Sequence, residues 1–392
     1  MKTLSLFFIL LFISALSFSQ NSNDVVIAKK IKITSKVLNE DETIFVSLPK
    51  KYATSGKSYP VIYILDGSET MISYANGLTK SLSDYEIIPE LIIVAIASND
   101  RDRDYTPIKP TYFPDFVNVS RAGHADQFLS FIEKELFPYV EQNYRTVPFR
   151  IFAGHSFGGL CVTYAFVTRN DMFNSYIASS PSISWCFDLV NGKYNDKIAS
   201  INVKNKSYFI SATENEDSLF IKNVYSFARI LELQAPPNLH WNCSFVKNED
   251  HLTQVTNGLY CGLRYVYKGW KPDFGKMKNG GLAYIKDFYL NLSNLYGYEI
   301  LPNENFINAL GMEMTRDGKQ DEAMKVFTYN TEIHPDCPES YSCLGKGYLQ
   351  SGNNELAIKN LNKAVELAIR INDRNLERYK SQLEEAKVMK KE

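Results

Sequence analysis

The chain has 392 residues, of which 45% are hydrophobic, 13% aromatic and 22% charged. This composition is typical of a globular protein with about two or three domains, and it excludes disordered, fibrous and polytopic membrane proteins. Because 43 basic side chains are balanced by 44 acidic ones, no global field would draw the chain onto nucleic acid or an acidic bilayer.

The N-terminal residues have the layout of a secretory signal peptide. Lys2 is followed by an apolar stretch that ends near Phe18 and closes with the small polar residue Ser19. A transmembrane anchor, the alternative, needs about 20 unbroken apolar residues, and Ser14 interrupts this stretch. We therefore predict a cleaved signal over residues 1–19, a periplasmic or secreted protein, and no stable membrane insertion after cleavage.

Short apolar runs alternate with segments of helical periodicity over residues 20–272, which is typical of an α/β domain. Two runs alternate like an exposed antiparallel pair, and six are apolar throughout, like buried strands. The predicted strands cover residues 31–37, 43–48, 61–65, 91–97, 150–153, 175–178, 208–212 and 241–246. We therefore predict a mostly parallel central sheet of about eight strands with helices between them.

One predicted strand leads directly into a G-x-S-x-G motif that contains Ser156 and is followed by a helix. Gly154 and Gly158 permit a tight turn that lifts the serine oxygen above the edge of the sheet. The helix N-terminus beyond the turn favours developing negative charge. Strand, turn and helix together predict a nucleophile elbow, and an ordinary glycine-rich turn is the alternative.

A serine nucleophile needs a histidine base and a carboxylate that follow it in the chain. Of the five histidines, only His251 lies in a loop that ends the last predicted strand. Three acids follow the preceding strand, and we prefer Glu216 because it lies far enough beyond the turn to swing back towards His251. Glu214 lies at the turn, and Asp217 is placed to cap the next helix; both remain open.

Two backbone amides are predicted to hold the oxyanion. One belongs to Phe157, directly after the nucleophile, and the other to Ser68, after the strand at residues 61–65. Gly67 would let the backbone turn inward so that the Ser68 N–H points at the site. A plain Asp-Gly turn is the alternative.

The six cysteines and the remaining residues predict neither a metal site nor a cofactor. An exported protein can form disulfides. The cysteine spacings, however, show no CxxC pair and no cluster of metal ligands. We predict that most of these cysteines are buried free thiols.

Residues 303–392 carry a repeat with a period of 34 residues. At that offset Leu310-Gly311 aligns with Leu344-Gly345, as in tetratricopeptide repeats. Residues 271–281, rich in Gly, Lys and Pro, are predicted to be a linker, and residues 273–302 a linker with a connecting helix. The repeats offer a groove for a peptide or protein partner, or a brace or dimer contact. Their predicted helices cover residues 303–315, 320–333, 339–350 and 354–371, with a capping helix over 375–390.

Several segments resemble the esterase D branch of the α/β-hydrolases, which includes enterochelin-type siderophore esterases and feruloyl or acetyl esterases. Besides the elbow, they are residues 59–67, 100–107, 137–146, 180–185 and 249–251. The resemblance implies an α/β-hydrolase fold, followed here by the small all-α domain. The residues it assigns are the triad Ser156, Glu216 and His251, the oxyanion donors Ser68 and Phe157, and Arg103 and Trp185 near the pocket mouth.

Two positions depart from the pattern of this family. Ser184 stands where a second tryptophan is common, which leaves the substrate open, and Thr213 replaces a glycine before the acid, which leaves the acid open. Together with the signal-like N-terminal residues, the resemblance implies an exported serine esterase that acts on a small siderophore-type, carbohydrate or aryl ester. The competing hypothesis is an inactive esterase-like scaffold that binds a partner through its repeats. Acyl transfer to an acceptor other than water would use the same residues.

Overall fold

The computed structural model describes residues 25–50, 52–109 and 120–389. The predicted signal segment lies outside these residues. Within the described ranges, no helix is both long and apolar enough to cross a membrane.

All eight predicted strands are confirmed as one sheet with the order β1-β2-β4-β3-β5-β6-β7-β8. The first two strands pair antiparallel, as does β2 with β4, and every other neighbouring pair is parallel. The strands are β1 (Lys29–Ser35), β2 (Glu40–Ser47), β3 (Tyr59–Ile64), β4 (Ile92–Ala97), β5 (Thr146–His155), β6 (Ser175–Ser179), β7 (Ser207–Thr213) and β8 (His240–Val246).

Helices cover both faces of this sheet, and the chain ends in a purely helical region. In the sheet region the helices are α1 (Glu69–Asp84), α2 (Arg101–Asp104), α3 (Ala125–Phe131), α4 (Phe137–Asn143), α5 (Phe157–Thr168), α6 (Asn195–Ala199), α7 (Ser218–Gln234) and α8 (Gln254–Val266). They are followed by α9 (Phe274–Tyr296), α10 (Glu304–Arg316), α11 (Gln320–Ile333), α12 (Pro338–Gln350), α13 (Asn354–Ile371) and α14 (Leu376–Met389). The predicted fold class, an α/β-hydrolase sheet followed by helices, is confirmed.

Alternating strand side chains build two separate cores. On one face Tyr63 and Phe152 pack among the residues of α3, α5 and α7. On the other face Ile64 and Ala153 join α1, α8 and α9 and also residues of the helical region such as Phe327. Because this second core continues from the sheet into the helices, it crosses the predicted boundary at residue 272, and the helical region packs directly on the sheet domain.

The 34-residue period is visible in the helix bounds. The first helices of the two pairs begin at Glu304 and Pro338, and the second helices begin at Gln320 and Asn354. A side chain at Gly311 would bring its Cβ to 2.5 Å from the ring of Phe327, so a small residue is required where these helices cross. The helix pairs are as expected, and their assignment to the tetratricopeptide class stays a prediction.

The predicted linker over residues 271–281 is wrong from Phe274 onward, where α9 begins. Asp273 caps this helix by accepting a hydrogen bond from the Lys276 N–H at 2.9 Å. Gly281, with φ 66° and ψ −161°, breaks the helix into two parts. The Leu282 N–H at the start of the second part donates to Glu322 of α11 at 2.7 Å. The glycine therefore kinks the helix, and a side chain far away in the sequence caps the part that follows the kink.

All six cysteines lie in the described residues and are free thiols, but three of them, rather than most, are buried. Cys161, Cys186 and Cys343 are buried, and the others are half-buried. Burial raises the pKa of Cys186 to about 11, so this thiol stays protonated and unreactive at neutral pH.

Candidate active site

Ser156 lies between the end of β5 and the start of α5, in a backbone conformation with a positive φ of 59° and ψ −116°. Such a conformation is strained for a residue other than glycine and marks functional turns. The turn is tight, because a Cβ at Gly154 would come within 2.5 Å of the Gly158 carbonyl. A Cβ at Gly159 would come within 2.8 Å of the Ser179 carbonyl oxygen. Only glycine fits at these places.

The structure brings Ser156, His251 and Glu216 together from three separate loops. His251 Nε2 is 3.0 Å from Ser156 Oγ, and His251 Nδ1 is 3.4 Å from Glu216 Oε1. The second contact is long for a hydrogen bond. The Glu216 side chain is only 2% exposed, whereas that of His251 is 37% exposed. This order of groups allows the serine proton to pass to the imidazole.

The three candidate acids occupy different environments. Glu214 is exposed, and its N–H donates to the Val246 carbonyl at 3.1 Å. Asp217 caps α7 by accepting from the Leu219 N–H at 2.8 Å, as the sequence predicted for it. Of the three, the structure brings only Glu216 to His251.

Thr213, the departure that left the acid open, supports this geometry. It is fully buried at the end of β7, and its hydroxyl donates to the Glu249 carbonyl at 2.5 Å. The Asn215 side chain donates to the same carbonyl at 2.9 Å. These two bonds join the loop that carries Glu216 to the loop that carries His251.

The loop with the predicted oxyanion donor Ser68 adjoins the elbow. The Leu65 N–H at the end of β3 donates to the Ala153 carbonyl at 2.9 Å, so the two loops leave the same edge of the sheet. Ser68 itself caps α1, where its hydroxyl accepts from Met71. The prediction about the turn needs one correction: the left-handed residue is Asp66, with φ 58°, and not Gly67.

Glycine is required at position 67 for space. A Cβ there would come within 2.7 Å of the backbone of Ala95 and Ile96 in β4. The Gly67 N–H donates to the Ile96 carbonyl at 2.8 Å, which holds the loop against that strand. The roles of Ser68 and Phe157 as oxyanion donors stay predictions.

The two residues expected near the pocket mouth, Arg103 and Trp185, both make contacts within the protein. The Arg103 guanidinium pairs with Asp104 at 2.6 Å and with Glu40, and it makes no ion pair at the triad. Trp185 is 2% exposed, and its Nε1–H donates to the Ile108 carbonyl at 3.0 Å. Its ring packs edge-on against Phe157, with centroids 4.8 Å apart. The role of Arg103 and Trp185 as substrate-binding residues near the pocket mouth stays a prediction.

Arg101, two residues earlier in the same segment, is the arginine that reaches the site. Its Nε pairs with Asp66 Oδ1 at 2.6 Å, and its Nη2 donates to the His155 carbonyl at 3.1 Å. The guanidinium carbon also lies 5.4 Å from the centre of the Phe157 ring. Arg101 thus joins the loop before Ser68 to the elbow. Its place in the segment 100–107, which matches the family, is the signal in the sequence that points to this arginine.

His155, the variable residue of the motif, also contributes to the site. Burial, followed by the nearby His251, lowers the pKa of His155 to about 4, so this imidazole is neutral at pH 7. Its Nε2 lies 2.6 Å from the His251 carbonyl oxygen and must therefore donate its proton there. The bond anchors the backbone of His251. The ring of Phe220 packs edge-on against the His251 ring, with centroids 5.6 Å apart.

Within the described residues, one group of carboxylates has the spacing of metal ligands. Oxygens of Glu40, Glu42 and Asp104 lie within 4.8 Å of one another. Arg103 already neutralises two of them, which explains the cluster as an ion-pair network. Burial raises the pKa of Glu42, so this carboxyl is protonated at neutral pH and is a poor ligand.

Comparisons with known sequences give one family model and several curated relatives that match this chain. A model of the family described as "Putative esterase" matches residues 35–254. The ferri-bacillibactin esterase BesA of Bacillus subtilis (strain 168) is 35% identical over 185 residues, which cover 43% of this chain and 63% of that protein. The siderophore enterobactin esterase of Emericella nidulans is 32% identical over 147 residues, which cover 33% of this chain and 48% of that protein. The chain thus spans between 48% and 63% of the length of these two curated relatives.

Two solved structures are similar over more of the chain. An IroE-like serine hydrolase from Shewanella oneidensis is 28% identical, with a TM-score of 0.68, and the match covers 78% of this chain and 99% of that one. An uncharacterised protein from Capnocytophaga ochracea is 17% identical, with a TM-score of 0.65. That match covers 90% of this chain and 99% of the other, and it shows a shared fold.

Proposed function

Since the chain belongs to the esterase family whose model matches residues 35–254, we propose that it is an exported serine esterase that hydrolyses a carboxylic ester. The observation that carries this proposal is the contact of 3.0 Å between Ser156 Oγ and His251 Nε2, with Glu216 at the other imidazole nitrogen. Export rests on the signal-like residues 1–19 alone. In this proposal the nucleophile, the base and the acid are all side chains of the chain itself.

The reaction follows from the order of these groups. His251 Nε2 takes the Ser156 proton while Ser156 Oγ attacks the ester carbonyl. The oxyanion that forms accepts hydrogen bonds from the backbone amides of Ser68 and Phe157. His251 then gives its proton to the departing alcohol, and Glu216 holds the imidazolium in place. Water, activated by His251 in the same way, releases the acid and restores Ser156.

For the substrate we propose a siderophore-type ester. The support is that the matched relatives from Bacillus subtilis and Emericella nidulans are named as siderophore esterases. A carbohydrate or aryl ester uses the same chemistry and remains the alternative substrate class. For the helical region we propose a brace, because its helices share the second core with the sheet. A peptide or protein partner at the repeats would be an additional role.

Labelling with a fluorophosphonate probe, followed by mass mapping of the modified residue, tests the proposal. We expect modification of Ser156 that is lost in Ser156→Ala and at least a hundredfold slower in His251→Ala. His240→Ala is the matched control, because His240 is exposed at the start of β8, on the opposite edge of the sheet. The control should label at the wild-type rate. A correctly folded wild-type chain that does not label would refute the esterase and favour the inactive scaffold.

A further inference from the structure

The loop Ser180-Pro181-Ser182, which follows β6, contacts both ends of the proposed triad. The Ser180 hydroxyl donates a hydrogen bond to Glu216 Oε1, the same oxygen that faces His251 Nδ1. The Ser182 hydroxyl lies 3.2 Å from Ser156 Oγ. One short loop therefore contacts the acid and the nucleophile, which are 60 positions apart in the sequence.

Ser180 has an unfavourable backbone conformation for a serine. Its φ is 40°, in the left-handed region that favours glycine, and the residue is fully buried. Its N–H donates to the Ser211 carbonyl at 2.6 Å, which holds the loop between β6 and β7. Glycine would adopt this conformation without strain. What serine adds at this position is one hydroxyl group, and the acceptor of that hydroxyl is Glu216.

Glu216 has few other groups to orient it. Its side chain is 2% exposed, and Oε2 accepts no hydrogen bond from the described residues. The contact with His251 is long at 3.4 Å. The Ser180 hydroxyl is therefore the one described side-chain donor, besides His251, that defines where the carboxylate points. A carboxylate free to rotate about its last bond would hold the imidazole less well.

The Ser182 contact also has a defined direction. Ser156 has a single hydroxyl proton, which must point at His251 Nε2 for transfer to the base. The hydrogen bond between the two serine hydroxyls can then form only with Ser182 as donor and Ser156 Oγ as acceptor. The Ser182 N–H also donates to the Ser156 carbonyl at 3.1 Å, so backbone and side chain fix this pair together. The arrangement favours the rotamer in which the Ser156 proton faces the base.

We propose that the loop at residues 180–182 aligns the proton path of this site. Ser180 is a positioning residue for the Glu216 carboxylate, and Ser182 orients the Ser156 hydroxyl towards His251. The inference rests on the proposed esterase function and adds two residues to it. No extra chemical step is involved, because the transferred proton still passes from Ser156 to His251.

The decisive variant is Ser180→Gly, which removes the hydroxyl and relieves the backbone strain at once. With a short-chain nitrophenyl ester, kcat should fall roughly tenfold or more at unchanged KM, because a hydrogen bond to a charged group is lost. The midpoint of thermal unfolding should be equal to or higher than that of the wild type. Ser180→Ala should lower kcat by a similar factor without the gain in stability. If Ser180 had only a structural role, replacing it would lower stability and leave the kcat of the folded enzyme unchanged.

A double-mutant cycle tests whether Ser180 acts through Glu216. Ser180→Gly should have little further effect on kcat in a Glu216→Gln background, because the carboxylate it orients is already gone. Ser182→Ala should slow fluorophosphonate labelling several-fold. The matched control is Ser207→Ala, which removes a hydroxyl that bonds Ser175 at 2.8 Å at the opposite ends of β6 and β7. This control should leave kcat unchanged.

The outcomes separate this inference from the function it rests on. A wild type that labels at Ser156, together with a Ser180→Gly variant of unchanged kcat, overturns the role of the loop but leaves the esterase intact. Additive losses of kcat in the Ser180→Gly and Glu216→Gln cycle overturn the assignment of Ser180 to Glu216. A folded wild type that neither labels nor hydrolyses esters overturns the esterase proposal and this inference with it.

Discussion

Replacing Glu42 with glutamine should make the protein more stable at alkaline pH. Glu42 lies on β2 with no exposed surface, close to Asp104 and Glu40. Burial, followed by the charges of Asp104 and Glu40, raises the pKa of Glu42 from 4.5 to about 8. At neutral pH the carboxyl is therefore protonated in the folded chain and ionised in the unfolded chain.

The direction and size of the effect follow from this difference. Because the folded state keeps a proton that the unfolded state loses, stability falls as pH rises from 4.5 to about 8 and then levels off. At about 1.4 kcal/mol per pKa unit the full shift is worth about 5 kcal/mol. Solvent reaches the cluster through the partly exposed Glu40 and Arg103, and screening reduces the value to about 2 kcal/mol. Glutamine has a similar shape and cannot ionise, so the variant avoids this loss.

Thermal unfolding at pH 5.5 and pH 8.5 measures the effect. The difference between the unfolding midpoints of Glu42→Gln and the wild type should increase, in favour of the variant, by roughly 4 °C from pH 5.5 to pH 8.5. Glu40→Gln is the matched control with the opposite sign. The hydrogen bond from Arg103 holds the pKa of Glu40 below its usual value of 4.5. The ion pair between these two residues therefore stabilises the chain at pH values above 4.5 and is lost as the pH falls below the lowered pKa. Parallel pH curves for the wild type and Glu42→Gln would refute a buried protonated carboxyl.

Three further predictions concern the elbow, the two arginines and the kinked helix. Gly154→Ala should lower stability by at least about 2 kcal/mol and abolish labelling of Ser156, since its Cβ would lie 2.5 Å from the Gly158 backbone. Denaturant titration and labelling measure both effects, and a stable, active variant would contradict the tight turn. Arg101→Gln should lower kcat/KM roughly tenfold with a small change in unfolding midpoint, whereas Arg103→Gln should mainly lower the midpoint. Equal effects of the two variants on kcat/KM would refute the different roles of the two arginines. Glu322→Ala should lower the free energy of unfolding in urea by about 1 kcal/mol, because the part of α9 after the kink loses its cap. An unchanged midpoint would show that this cap contributes nothing.

Features that depend on short stretches of sequence were predictable. All eight strands were located because apolar runs and alternation report directly which side chains are buried. The turn at Ser156 was predictable because its glycines lie close together in the chain and their spacing reflects local backbone geometry. The place of His251 followed from the rule that parallel strands deliver their loops to one edge of the sheet. The capping role of Asp217 followed from its position before a helix.

Other features depended on which distant segments become neighbours. Arg101 and Arg103 differ by two positions, and only the arrangement of β2 and β3 around α2 determines that the first meets Asp66 and the second Glu40. Residues 274–281 have the composition of a linker, yet they are helical, and a carboxylate of α11 caps the helix that continues from Leu282.

The contacts of Ser180 and Ser182 depend likewise on the order of β5, β6 and β7 in the sheet. Periodicity and spacing describe the backbone near each residue. The partner of a side chain is determined by contacts between segments far apart in sequence, and only the folded chain specifies them.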